Sequence, residues 1–157
     1  MTGRADKAAT PAPSKQRLRL WLRLLRTTRH IELDVRERLR TQFNTTLPRF
    51  DVLAAVYRAE AGITMTALSR ALMVSNGNVT GIVDRLVADG LLLRTVSQQD
   101  RRAAQVRMTP KGRKAFAEMA RAHEHWIWSR LGSLSEAETD RLIAALDQLE
   151  QDQGART

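Results

Sequence analysis

Apolar positions recur at helical spacing along most of this chain. Between residues 15 and about 43, Leu18, Trp21, Leu22, Leu25, Ile31, Val35 and Leu39 mark one side of a long helix. Pro48 suits the first turn of a second helix, where its missing N–H does little harm, and Phe50, Leu53, Val56 and Tyr57 give that helix a buried side. Gly62 breaks it. Thr64 can cap a shorter helix whose inward set is Leu68, Ala71 and Leu72, and only Met73 and Val74 separate it from the next. That next helix, residues 75–89, carries Val79, Ile82, Val83, Leu86 and Val87 on one stripe, with Ser75 as N-cap and Gly90 suited to its end. Then the period shortens to two. Leu91, Leu92, Leu93 and Val96 predict one strand and Gln105 to Met108 a second, around a polar loop over residues 97–103. Helix resumes after Thr109 and Pro110, with Phe116, Met119, His123, Trp126, Ile127 and Leu131 inward. A final helix from Ser135 carries Leu142, Ile143, Leu146 and Leu149, and Ser135 with Glu138 forms a capping-box signature.

Two helices joined by a tight turn and followed at once by a hairpin describe a winged helix-turn-helix. The expected fold is mostly α with a small β-hairpin wing, flanked by long N- and C-terminal dimerisation helices. Residues 1–14, with two prolines and few apolar positions, read as a disordered tail. Residues 15–152 read as one domain, in which 48–108 form the DNA-binding part and 15–47 and 109–152 the dimerisation helices.

The face of helix 75–89 opposite its stripe is unusual. It holds Asn76, Gly77, Asn78, Thr80, Gly81 and Asp84. A solvated helix favours Lys and Glu, which are strong helix formers, whereas Asn, Thr and Gly are poor ones. In a helix-turn-helix the start of the second helix faces base edges, where Asn offers a bidentate pair to adenine and Ser or Thr serves several bases. Asn76, Asn78 and Thr80 are the leading candidates. A polar first turn that merely caps and solvates the helix is the alternative.

Charge supports the first reading. The 157 residues carry a formal charge of +9, expected of a polyanion binder. Residues 94–114 hold seven basic side chains and one acid, whereas residues 132–157 hold six acids against two arginines. The wing therefore grips, and the nearly neutral helix reads. Arg101 and Arg102 at the loop tip suit the negative potential of a minor groove.

The run SNGNVTGIVDRLVADGLLLRTVSQQDRRAAQVRMTPKGRKAF, with TLPRFDVLAAVYR before it, resembles the MarR family (multiple antibiotic resistance regulators). The likeness covers roughly residues 15–151. It implies a homodimeric, ligand-responsive repressor that reads a pseudo-palindromic duplex operator through Ser75, Asn76, Gly77, Asn78, Thr80, Gly81, Arg85, Asp100, Arg101 and Arg102. By similarity Asp100 orients Arg85, Arg102 enters the minor groove, and the outer helices interleave between subunits. The stretch WLRLLRTTRHIE…TLPRFDVL also resembles a branch associated with aromatic-acid breakdown, some of whose members sense the acyl-CoA thioester. Trp21, Leu25, His30, Phe50, Tyr57 and Trp126 then become candidate effector walls, with Arg23, Arg26, Arg36 and Arg40 as partners for an anionic effector; plain core is the competing role for each apolar one.

Several chemistries are excluded or disfavoured. There is no cysteine, hence no disulfide and no thiolate metal ligand. No apolar run approaches the ~18 residues a membrane span needs, and the N-terminus lacks the apolar core of a secretion signal, so a cytoplasmic location is expected. The first helix carries nine basic residues against three acids. A solvated face, a membrane-surface helix and a basic wall that touches an anion compete there, and the continuous apolar stripe favours a dimer helix. His123 and His125 lie two apart and so face opposite sides of a helix, a poor metal pair. No catalytic triad, phosphate loop or paired carboxylate is discernible, so no enzyme, metal or cofactor is expected. The functional alternative is a winged protein-interaction module without specific DNA readout.

Overall fold

The computed structural model describes residues 15–96 and 104–154. Six helices and three short strands follow in the order α1 (Lys15–Phe43), α2 (Leu47–Arg58), β1 (Ile63–Thr64), α3 (Met65–Leu72), α4 (Asn76–Ala88), β2 (Leu92–Val96), β3 (Ala104–Met108), α5 (Pro110–Leu131) and α6 (Glu136–Gly154). The chain divides into two compact units, Met1–Asp34 and Val35–Thr157.

In the first unit the described residues are the N-terminal part of α1. Leu18, Trp21 and Leu22, expected on an apolar side, are each more than half exposed. In the second unit, Val52, Leu53, Val56, Leu68, Val79, Val83, Leu86, Leu92 and Val106 are the fully buried residues around which α2, α3, α4 and the sheet pack. All but Val52 fall at positions that the predicted periods mark as inward, whereas Tyr57, marked inward on α2, is 39 % exposed.

The sheet has three strands in the order β1-β3-β2, one more than the hairpin expected. Ile63 and Thr64 pair antiparallel with Val106 and Gln105, so β3 lies between two partners. The hairpin itself runs from Leu92↔Met108 to Val96↔Ala104.

Helix ends follow their local chemistry. Asn44, at φ 49°, turns the chain out of α1 in the left-handed conformation common at helix ends, with the Thr45 N–H donating to the Leu39 carbonyl. The Ser135–Glu138 capping box is present: the Glu138 carboxylate accepts from the Ser135 N–H at 2.9 Å, and the Ser135 hydroxyl accepts from the Glu138 N–H at 3.4 Å. Yet every residue of α6 whose burial is described, apart from half-buried Thr139, is exposed. The apolar residues Leu142, Ile143, Leu146 and Leu149 are 45–52 % exposed.

One corner joins the winged part to α5. Thr109 caps α5 by accepting from the Gly112 N–H at 2.9 Å, and its hydroxyl donates to the Gly90 carbonyl at 2.7 Å. A Cβ on Gly112 would sit 2.0 Å from the Leu91 carbonyl oxygen. Only glycine lets α5 start this close to the strand.

Aromatic rings zip α2 to α5. Phe50 lies 5.5 Å from Phe116 and 4.9 Å from His123 between centroids, Tyr57 lies 4.9 Å from Phe116, and His123 lies 6.5 Å from Trp126. Arg113 covers Tyr57 at one end and Arg38 covers Trp126 at the other. Burial in this seam holds His123 below the ordinary imidazole value of 6.5. The folded chain therefore prefers neutral His123. The stabilisation from that preference is complete above the unfolded value and declines as pH falls below it toward the lower folded value. The melting temperature of His123→Phe should fall less than that of the parent chain between pH 7.5 and pH 5.5, by thermal shift; parallel losses in the two chains would refute this.

Candidate nucleic-acid interface

The helix-turn-helix is built as its local sequence demands. The Thr64 hydroxyl accepts from the Ala67 N–H at 3.2 Å to start α3, and Met73, at φ 53°, ends it in the left-handed region. Ser75 occupies the N-cap of α4 with extended backbone angles, but its side chain makes no cap hydrogen bond. This corrects the expected role of its hydroxyl. Ser75 thus caps none of the first-turn N–H groups of α4, and such groups are donors of the kind phosphate accepts.

Val79, Val83 and Leu86 bury the inner stripe of α4 completely. Gly77, Asn78, Thr80, Gly81, Asp84 and Arg85 are exposed. Asn76 opens the helix; its side chain lies outside the described residues. A Cβ placed on Gly77 or Gly81 meets no atom within 4 Å. Nothing inside the fold requires glycine there, although glycine weakens a helix by roughly 0.5–1 kcal/mol relative to alanine.

Three neighbours hold α4 in place. Arg49 of α2 pairs with Asp89 at its C-cap. Lys111 Nζ of α5 donates to the Asp89 carbonyl at 2.8 Å. Arg94 of β2 pairs with Asp84 at 2.6 Å. No periodicity in the sequence announces these pairs, because each joins separate elements. Asp100, Arg101 and Arg102 lie outside the described residues. The proposed orientation of Arg85 by Asp100 lies there with them.

The candidate effector residues divide between the two units. Leu25, Arg26 and His30, with Arg23, line an open groove along α1, and Trp21 is exposed on the same helix. Phe50, Tyr57 and Trp126 share the α2–α5 seam, but Phe50 and Trp126 are 6 % exposed and packed ring against ring. Arg40 pairs with Glu37 of its own helix at 2.7 Å. Arg36 lines a cavity of about 460 Å³ behind α4, with Asp51, Val52, Leu72, Val74 and Ile82 among its walls. His123 packs on Phe50 while His125 stacks on Trp128, so the two histidines face different neighbours. Among the described residues no three His, Asp or Glu side chains are placed to share a metal, and no helix is long and apolar enough to cross a membrane.

A three-stranded sheet with a wing hairpin behind a tightly joined α3–α4 pair defines a winged helix-turn-helix DNA-binding protein. The MarR family pattern matches residues 43–103. The chain is 32% identical over 115 residues to an uncharacterized HTH-type transcriptional regulator of Bacillus subtilis (strain 168), YkoM, covering 73% of each. It belongs to the MarR family of transcriptional regulators, and so is not an enzyme. A second relative, the transcriptional repressor MprA of Escherichia coli (strain K12), is 35% identical over 92 residues; the match covers 54% of this chain and about half of MprA, 52%. Among solved structures, a mutant MarR of E. coli in complex with operator DNA superposes with a TM-score of 0.75 at 22% identity, over 85% of this chain and 95% of that one. At that identity the likeness establishes the fold alone.

Proposed function

We propose that this chain is a cytoplasmic, homodimeric repressor that reads a pseudo-palindromic operator through α4. The observation that carries the reading is the outward face of α4: uncharged at Gly77, Asn78, Thr80 and Gly81, and bearing glycines the fold does not use. Close approach to another backbone or to base edges is a use for such glycines. Operator binding by the structural neighbour and repression by MprA, as their descriptions state, support it. The exposed leucines of α6 and the exposed Leu18, Trp21 and Leu22 of α1 support a dimer, since apolar stripes of this kind mark interaction surfaces. A dimer sets two recognition helices about 34–36 Å apart, one turn of duplex.

The test is fluorescence anisotropy with DNA flanking the chain's own gene and with random duplex of equal length. Asn78→Ala should lose about 1–3 kcal/mol on the operator per bidentate contact removed, and little on random DNA. Arg102→Ala should weaken both and flatten the salt dependence by about one unit of slope. Equal effects of both variants on every duplex would overturn these roles. If the parent chain binds no duplex, the chain is a protein-interaction module.

The effector proposed is an aromatic carboxylate or its CoA thioester. The cavity behind α4 supports an effector in general, because its walls include Val52, Leu72, Val74 and Ile82 beside Arg36, and Asn78 also borders it. A ligand bound there could release DNA only by favouring an arrangement of α4 that no longer fits the groove. Calorimetry against a panel of aromatic acids and their thioesters should show saturable heat; a silent panel excludes this effector class.

A further inference from the structure

α4 carries a single carboxylate on its outward face, and a wing-strand arginine holds it. Between Asn76 and Ala88 the charged residues are Asp84 and Arg85. Asp84 follows Gly77, Thr80 and Gly81 by seven, four and three residues, which puts all four on one side of the helix. Its side chain is 57 % exposed, and that of its partner Arg94 is 41 % exposed, with Nη2 at 2.6 Å from Oδ1. An exposed pair of this kind contributes little to folding. Stability is therefore a poor reason for placing an acid where DNA is to be read.

The two charges act on a polyanion in opposite directions. A carboxylate on the reading face repels phosphate, and a guanidinium beside it attracts phosphate. One hydrogen bond to Asp84 leaves most of the five N–H donors of Arg94 available to other acceptors. Sequence-independent affinity for duplex comes from such phosphate contacts, so a device that weakens them lowers binding to random DNA and sharpens discrimination.

We infer that Asp84 and Arg94 form a charge governor on the reading face: Asp84 tethers Arg94 beside α4 and partly neutralises it, so that Arg94 contacts phosphate without capturing DNA indiscriminately. Both are positioning and tuning residues for operator choice rather than readers of bases. The inference rests on α4 being the recognition helix.

Three variants test it: Asp84→Asn, Arg94→Gln and the two combined. Each is measured by anisotropy on operator and random duplexes across a salt series, with thermal shift as a check on folding. Asp84→Asn should bind random DNA about three- to tenfold tighter and steepen the salt slope by about one unit, lowering the operator-to-random ratio. Arg94→Gln should bind both duplexes more weakly with a shallower slope. The combined variant should return close to the parent affinity on random DNA, and all three should keep the parent melting temperature to within a few degrees. A simple structural brace gives a different pattern, in which both single variants weaken binding in step with lost thermal stability. That pattern, on a parent chain that does bind its operator, refutes the governor alone. A parent chain that binds no duplex refutes the recognition helix and the governor together.

Discussion

Replacing Gly112 by alanine should destabilise the fold more than alanine at Gly77, Gly81, Gly90 or Gly132. The new Cβ would lie 2.0 Å from the Leu91 carbonyl oxygen and 2.8 Å from its carbon, both backbone atoms. A side chain could swing away; this carbonyl cannot, because it accepts from the Thr109 N–H at 3.1 Å. Relief requires α5 to lift off the Gly90–Leu91 corner, and that motion breaks the Thr109 contacts with the Gly90 and Leu91 carbonyls as well. Overpacking in a close-packed site costs about 1–3 kcal/mol and sometimes more, and the unyielding partner places Gly112→Ala at the upper end. For a chain of this size about 3 kcal/mol lowers the melting temperature by roughly 6–12 °C. Thr109→Val, which keeps the shape and loses the cap, should cost about 1 kcal/mol. A Gly112→Ala chain that melts with the parent would show that the corner is not closed as described.

That corner illustrates what the sequence could and could not announce. Thr109-Pro110 reads as a helix start on local chemistry alone, because a capping hydroxyl followed by a residue without an N–H is a signal within two positions. The contact of Gly112 with Leu91 joins residues 21 positions apart in different elements, and no local pattern encodes it. The same divide runs through the rest of the chain. Val79, Val83 and Leu86 were legible as a buried stripe because helical period marks a face. β1 was not, since two residues, Ile63 and Thr64, carry no period at all; only their register with Val106 and Gln105 makes them a strand. Period also marked Phe50 and Tyr57 on α2 and Phe116, His123 and Trp126 on α5 as inward, without saying that the two sets interleave. The polar face of α4 was legible by its composition. Its ion pair with Arg94 was not, because Asp84 and Arg94 belong to separate elements whose approach only the fold determines.

The variant Gly77→Ala/Gly81→Ala should separate stability from DNA binding in one experiment. Each added Cβ enters open space, so the fold has nothing to oppose it. Alanine is the better helix former, by roughly 0.5–1 kcal/mol at an interior position and less in the first turn, where Gly77 lies. The pair should therefore raise the melting temperature by about 2–4 °C, the shift expected for about 1 kcal/mol in a chain of this size. DNA binding should move the other way. If α4 seats against base edges with Gly77 and Gly81 at the closest approach, two methyl groups hold it away and loosen the hydrogen bonds of Asn78 and Thr80 with the bases. A disrupted base contact costs about 1–3 kcal/mol, so operator affinity should fall by roughly ten- to a hundredfold. Random duplex, gripped through phosphate, should be bound nearly as before. A variant that gains stability and keeps its operator affinity would mean that these glycines face solvent in the complex, and that another surface of this chain reads the sequence.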